Sequence, residues 1–134
     1  MRIEFTVHGK PQPQGSAKAF IPKGWNRAII TSDNKTLKPW RQDVSAMALQ
    51  AMAGQPMELG AVRVTVSFWW SKPKSTKKSV VHKITKPDID KCLRSILDSL
   101  TGIAFKDDSQ VVECHILKWF GDQEGARVTV ESVG

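Results

Sequence analysis

The sequence has 134 residues, of which 40% are hydrophobic and 25% are charged. This length supports one buried core but not two ordinary domains, so we expect a single domain over residues 1–134. The longest apolar runs fall far short of the ~20 residues of a membrane-spanning helix, and the first residues lack the apolar core of a signal peptide. The composition therefore predicts a cytoplasmic protein with no membrane partner.

The hydrophobic pattern divides the chain into alternating strands and helices. In chain order it predicts a strand at 2–7, an irregular segment at 10–35 with short strands near 19–21 and 28–31, a helix from Pro39 to Gly54, a strand at 62–70, a basic loop at 71–85, a helix at 88–101, and strands at 110–120 and 127–133. The turn-forming residues 121–125 predict that the last two strands form a hairpin. We expect an α/β (α+β) fold in which two helices pack on a mixed sheet of about four strands.

Positive charge is concentrated in the middle of the chain. The formal net charge is +7, and no Asp or Glu occurs between Glu58 and Asp88. The cations in this stretch are Arg63, Lys72, Lys74, Lys77, Lys78, Lys83 and Lys86. Such a segment attracts polyanions, nucleic acid above all, although a solvated lysine loop that only confers solubility explains the charge equally well.

Four of the thirteen acidic residues lie at two element junctions. Asp88 and Asp90 precede the second predicted helix, and Asp107 and Asp108 precede the strand that follows it. A structural role is available for each pair, because Asp caps helices and is common in turns. Whether the two junctions meet in space is not decided by their spacing in the sequence.

If the junctions do meet, three or four carboxylates share a small volume and repel one another unless a cation lies between them. Magnesium is the natural partner, because it prefers oxygen ligands and is commonly held by carboxylates together with a substrate phosphate. Such a site hydrolyses phosphodiesters. Lys91 and Arg94 would then lie where they can bind phosphate or stabilise developing negative charge.

The acidic blocks resemble those of the RusA-type Holliday junction resolvases. The matching residues are His82, then Lys86-Pro87-Asp88-Ile89-Asp90, then Asp98-Ser99-Leu100, then Lys106-Asp107-Asp108-Ser109-Gln110-Val111. The spacing between the blocks also fits the family. Two positions depart from its pattern, since Lys91 replaces the usual Asn and Arg94 the usual Lys. The second exchange keeps the charge but alters the geometry of the donor group.

The resemblance implies a homodimeric endonuclease that binds four-way DNA junctions and nicks two opposing strands with magnesium or manganese. It implies no small-molecule cofactor and a role in DNA recombination and repair, typically encoded by a phage or prophage. Asp88, Asp90 and Asp108 would be the metal-binding carboxylates, and Asp107 an auxiliary one. The cations of 72–86 and His82 would contact the DNA. Two active sites on symmetry-related strands call for a two-fold dimer.

Two other functions remain open. A non-enzymatic module could bind DNA or RNA through Lys72–Lys86, with the aspartates acting only as caps. An Asp-x-Asp glycosyltransferase is a weaker alternative, because the chain is short for a sugar-nucleotide domain and the basic loop has no role there. Cys92 and Cys114 are predicted to be small buried hydrophobes, because Cys92 falls on the apolar face of a predicted helix and Cys114 within a predicted strand. Their separation gives only a weak disulfide signal and no metal motif.

Overall fold

The chain folds as a four-stranded mixed sheet with two helices on one face and a small two-stranded sheet beside it. The computed structural model describes residues 1–15, 17–32 and 35–134, with the backbone alone at 17–20 and 29–32. The elements are β1 (Arg2–His8), β2 (Ala17–Phe20), β3 (Ile29–Ser32), α1 (Leu37–Met52), β4 (Val62–Trp70), α2 (Ile89–Leu100), a 3₁₀ turn (Asp108–Gln110), β5 (Val111–Phe120) and β6 (Gly125–Ser132). The predicted mixed sheet with two helices is confirmed.

The order of strands in the main sheet is β1-β6-β4-β5. β4 pairs with β5 in parallel and with β6 in antiparallel register, and β6 also pairs antiparallel with β1. The predicted hairpin between the last two strands is therefore wrong, because β4 lies between them. β4 takes the inner position since its inward side chains, from Val62 to Trp70, are all buried.

The connection from β5 to β6 crosses the end of β4 at very close range. The Gly121 amide donates to the Trp70 carbonyl at 2.9 Å. A Cβ atom on Gly121 would lie 2.8 Å from Cδ1 of Trp69, and one on Gly125 would lie 2.5 Å from the Val7 carbonyl oxygen. Gly121 is therefore required where the chain passes β4, and Gly125 is required where β6 begins beside the backbone of β1.

α2 is held in place by an apolar stripe and by small polar contacts. Cys92, Ile96 and Leu100 are fully buried, whereas Ile89, which the apolar spacing also places on this face, is 40% exposed. The two helices approach closely at serines, where the Ser45 hydroxyl donates to the Ser99 carbonyl at 2.9 Å. The helix ends at Leu100, and the chain then turns through Thr101 and Gly102, whose φ of +86° favours glycine. These contacts fix the direction in which the N-terminus of α2 points.

The two cysteines differ in their exposure to solvent. Cys92 is buried as predicted, but Cys114 is exposed, because β5 is an edge strand with only one neighbour in the sheet. Within residues 1–15, 17–32 and 35–134, none of the helices combines the length and apolar character needed to cross a membrane.

Candidate active site

The two pairs of aspartates lie at opposite ends of the β4–α2–β5 unit. Because β4 and β5 are parallel, α2 must return along the sheet between them. Asp88 and Asp90 therefore lie near the C-terminal ends of these strands, and Asp107 and Asp108 lie at their N-terminal ends. The 12 residues of α2 span ~18 Å. A single copy of the chain does not bring the two pairs together.

At the N-terminus of α2, the carboxylates of Asp88 and Asp90 face solvent. Asp88 occupies the N-cap position, but its side chain makes no capping hydrogen bond. Its Oδ2 lies 3.8 Å from Nζ of Lys91, and the Asp88 side chain is 56% exposed. Asp90 lies in the first turn and is also exposed. The capping role that the sequence allows for Asp88 is thus not used, and both carboxylates remain accessible to a ligand.

The second junction is closed by its own hydrogen bonds. The Asp107 carboxylate accepts from the Ser109 amide at 2.9 Å, and this hydrogen bond is the main reason that the pKa of Asp107 is lowered. The Gln110 side chain accepts from the Asp107 amide at 2.9 Å and donates to the Glu58 and Gly60 carbonyls. Asp107 is therefore part of a capping box, and Asp108 is presented, exposed, on the same turn.

Lys118, which was not predicted from the sequence to act at this site, hydrogen-bonds to the backbone immediately before Asp88. Nζ of Lys118 donates to the Thr85 carbonyl at 2.8 Å and to the Pro87 carbonyl at 2.6 Å. Lys83 contacts the same segment, with its Nζ 3.0 Å from Oγ1 of Thr85. Lys118 interrupts the inward-facing series of β5 between Ile116 and Phe120. That break in the alternation was the signal available in the sequence.

The basic loop divides into cations that brace the fold and cations that face solvent. Nζ of Lys72 donates to the Lys77 and Lys78 carbonyls and closes the loop on itself. His82 stacks on Trp119, with their ring centroids 4.5 Å apart. The expected DNA contacts that are exposed are Lys74, Lys77, Lys78, His82 and Lys86.

Lys83 is the most enclosed cation of this loop. Its Nζ lies 5.8 Å from the centroid of the Trp70 ring and 5.7 Å from that of Phe120. Burial, followed by the charge of Lys118, lowers the pKa of Lys83. An incoming anion would relieve the repulsion between the two lysines.

The α2 residues expected to act on phosphate follow the exposed carboxylates along the first turns of the helix. Lys91 is exposed and close to Asp88, and Arg94 is exposed one turn further along α2. The Lys91 carbonyl accepts from the Gln14 amide at 3.0 Å, and the Ser95 hydroxyl donates to the Gln12 carbonyl at 2.9 Å. The segment before β2 thus supports the first turns of α2, a packing role that the irregular sequence pattern did not reveal.

The donors present fit part of a divalent metal site. Asp88 and Asp90 offer exposed carboxylate oxygens, which suit magnesium when substrate phosphate supplies further ligands. Across the ranges 1–15, 17–32 and 35–134, however, no three His, Cys, Asp or Glu side chains gather closely enough to hold a metal ion. Cys92 is not a suitable ligand, because burial raises the pKa of its thiol to about 12.

Comparison with known proteins identifies the family. A family model described as "Endodeoxyribonuclease RusA" matches residues 8–131. The chain belongs to the RusA endodeoxyribonuclease family. The match spans both acidic junctions and the basic loop, and it confirms the resemblance carried by the motif residues. RusA membership supports a nuclease and an α+β fold of this kind.

A relative of this RusA-family chain is known from Bacillus subtilis (strain 168). It is the uncharacterized protein YqaN, 28% identical over 141 residues, an alignment that covers 98% of this chain and 96% of the relative. The similarity therefore extends over the whole fold rather than the acidic motif alone.

Proposed function

We propose that this chain is a metal-dependent endonuclease that binds four-way DNA junctions and resolves them by paired, symmetric phosphodiester cuts in recombination and repair. The observation that carries the proposal is the N-terminus of α2, where Asp88 and Asp90 are exposed, unused as caps and surrounded by cations. Their context in a RusA-family chain supports nuclease chemistry over a capping role.

Asp88, Asp90 and Asp108 would hold the divalent ion, with Asp107 auxiliary. When bound, magnesium or manganese supplies the charge that polarises a phosphoryl oxygen and activates water for hydrolysis. The roles of the protein are to bind and orient the strand. Lys91 and Arg94 bind the phosphate next to the carboxylates and stabilise the negative charge that develops there.

The separation of the two acidic pairs supports a homodimer. Asp108 lies roughly the length of α2 from Asp88 and Asp90 within one chain, so one ion can use all three only if Asp108 comes from a partner subunit. A two-fold dimer with the N-terminal end of β5 beside the partner's α2 N-terminus creates two equivalent composite sites. Two such sites match the two cuts that junction resolution requires.

The substrate-binding surface is formed by the basic loop. The cations that would contact the phosphates of branched DNA are Lys72, Lys74, Lys77, Lys78, Lys83 and Lys86, with His82 beside them. Lys72 and Lys83 also brace the loop, so they act on the DNA partly by shaping this surface. Because phosphate contacts release counterions, junction affinity should fall steeply with salt.

Cleavage assays on synthetic DNA test the function. We expect paired nicks near the crossover of a four-way junction with Mg²⁺ or Mn²⁺, far slower cutting of linear duplex, and no cutting with a chelator. Salt-sensitive binding without cleavage under any of these conditions would instead identify a non-enzymatic DNA-binding module.

Mixing two inactive variants tests the composite site. We consider a dimer of one Asp90→Asn subunit and one Asp108→Asn subunit. If each site takes Asp90 from one subunit and Asp108 from the other, one site of this dimer carries both substitutions and the other site carries neither. A 1:1 mixture that exchanges subunits should recover about one quarter of the active sites and give single nicks. If each site belongs to one subunit, every mixed dimer stays inactive and the composite arrangement is rejected.

A further inference from the structure

Lys118 is a lysine in an apolar position. It lies on the inward face of β5, where it pairs in register with fully buried Phe68, and it is itself half-buried. Its Nζ lies 5.8 Å from the centroid of the Trp70 ring. Among the described residues, no carboxylate forms an ion pair with it. An ammonium group that is partly removed from water in this way is stabilised by hydrogen-bond acceptors.

Those acceptors are two backbone carbonyls on either side of Lys86. The bonds from Nζ measure 2.8 Å to Thr85 and 2.6 Å to Pro87. The Pro87 carbonyl belongs to the peptide bond that leads into Asp88. Lys118 therefore ties a rigid strand of the sheet to the backbone immediately before the first exposed carboxylate.

The same segment has few other anchors. Ile84 is 91% exposed, and Thr85 and Lys86 are exposed as well. Lys83 adds one contact through the Thr85 hydroxyl. Without the Lys118 ammonium, the Thr85 and Pro87 carbonyls lose this shared donor, and the chain before α2 becomes freer to move.

We propose that Lys118 is a positioning residue of the nuclease site, which fixes the Asp88 backbone so that the Asp88 and Asp90 carboxylates are held ready for the metal ion. This inference rests on the proposed function. Groups that orient metal ligands typically contribute 10- to 100-fold to metal affinity or activity, and we expect an effect on the order of 10-fold or more here. Lys118 acts through the backbone of the motif and does not itself contact the reacting phosphate.

The test compares Lys118→Met, which keeps the aliphatic stem but removes the donors, with Lys118→Arg, which keeps charge and donors. Lys38→Met, at an exposed lysine of α1, is the matched control. For Lys118→Met we expect kcat for junction cleavage to fall on the order of 10-fold or more while the junction Kd changes less than about 3-fold. Lys118→Arg should recover most of the rate, and Lys38→Met should behave as the unchanged protein.

Two measurements do not depend on activity. Amide hydrogen exchange in residues 84–90 should be faster in Lys118→Met, with β4 and β6 unchanged, and Mn²⁺ binding should weaken in titrations without DNA. Exchange that remains unchanged would overturn the inference even if the protein cleaves nothing. A wild-type kcat, or equal losses of binding and kcat, would also overturn it. Failure of the unchanged protein to cleave junctions would instead reject the proposed function.

Discussion

At the C-terminal ends of β4 and β5, the carboxylates of Asp88 and Asp90 are exposed and make no capping bonds, whereas at the N-terminal ends Asp107 is fully engaged in a capping box. The first end is surrounded by a basic loop. The second is tied to the Glu58–Gly60 segment through Gln110. At the first end both carboxylates are thus available to a ligand, whereas at the second Asp107 is engaged by the fold and Asp108 remains exposed.

This difference separates residues that a helix or turn needs from residues that remain accessible for chemistry. Aspartate is favoured at both kinds of junction for the same electrostatic reason. The two junctions differ in what the carboxylate oxygens contact. Asp107 accepts a local amide hydrogen, while Asp88 has only a distant ion pair with Lys91 at its own helix end.

The largest expected effect on activity comes from the exposed carboxylates at the N-terminus of α2. Asp90→Asn should reduce cleavage of a four-way junction on the order of 10³-fold or more, the scale for loss of a central catalytic group. Removing one negative charge should leave junction binding unchanged or tighter, as measured by gel shift in Ca²⁺. Asp43→Asn, at an exposed aspartate of α1, should cleave normally. A fully active Asp90→Asn protein would show that the Asp90 carboxylate at the N-terminus of α2 is not catalytic.

At the capping box of Asp107 and Gln110, a substitution should mainly affect the stability of the fold. Gln110→Ala removes the side chain that accepts from the Lys106 and Asp107 amides and donates to two carbonyls. We expect the free energy of unfolding to fall by about 1 to 3 kcal/mol in a urea titration. Gln42→Ala on the exposed face of α1 is the control and should have little effect. Equal stability of the two variants would remove the distinction between the two ends.

The smallest effect is the response to acid. Hydrogen bonds lower the pKa of Asp107, chiefly from the Ser109 amide, and that of Glu113, chiefly from Arg63. Groups with lowered folded-state pKa values contribute stability above their ordinary values near 4, and this contribution is lost as the pH falls below them.

Thermal unfolding at pH 7 and pH 3 checks this sign. Replacing both residues, Asp107→Asn with Glu113→Gln, should reduce the drop in Tm between these pH values by less than about 3 °C, because Asp107 is exposed and Glu113 is only half-buried. High salt should reduce the difference further. An unchanged drop in the double variant would mean that other carboxylates dominate the acid response, and a larger drop would contradict the predicted sign.

The sequence predicted the elements well where one face is buried. The apolar spacing in α2 and the alternation in β4 were sufficient to predict these two elements, because the burial of one face produces both patterns. The motif also pointed to the aspartates that now form the proposed site. It did not reveal that they occupy opposite ends of one unit, since that depends on the parallel pairing of β4 with β5, which spacing does not encode.

Other features depended on tertiary contacts. Gly121 and Gly125 look like hairpin residues, but Gly121 lies close against Trp69 of β4 and Gly125 close against Val7 of β1. The exposure of Cys114 follows from the edge position of β5, and the contacts of Lys118 follow from the path of a distant loop. In each case the neighbour that decides the outcome is remote in sequence.

The strand order has a consequence for the newly synthesised protein. β1 finds its sheet partner only in β6, more than a hundred residues later, and β6 in turn completes the second edge of β4. On the ribosome, β1 stays without this partner until residues 125–132 have emerged, so the main sheet closes late and through distant contacts. A nascent chain therefore carries its cationic and acidic segments well before it holds the rigid framework needed to cut DNA.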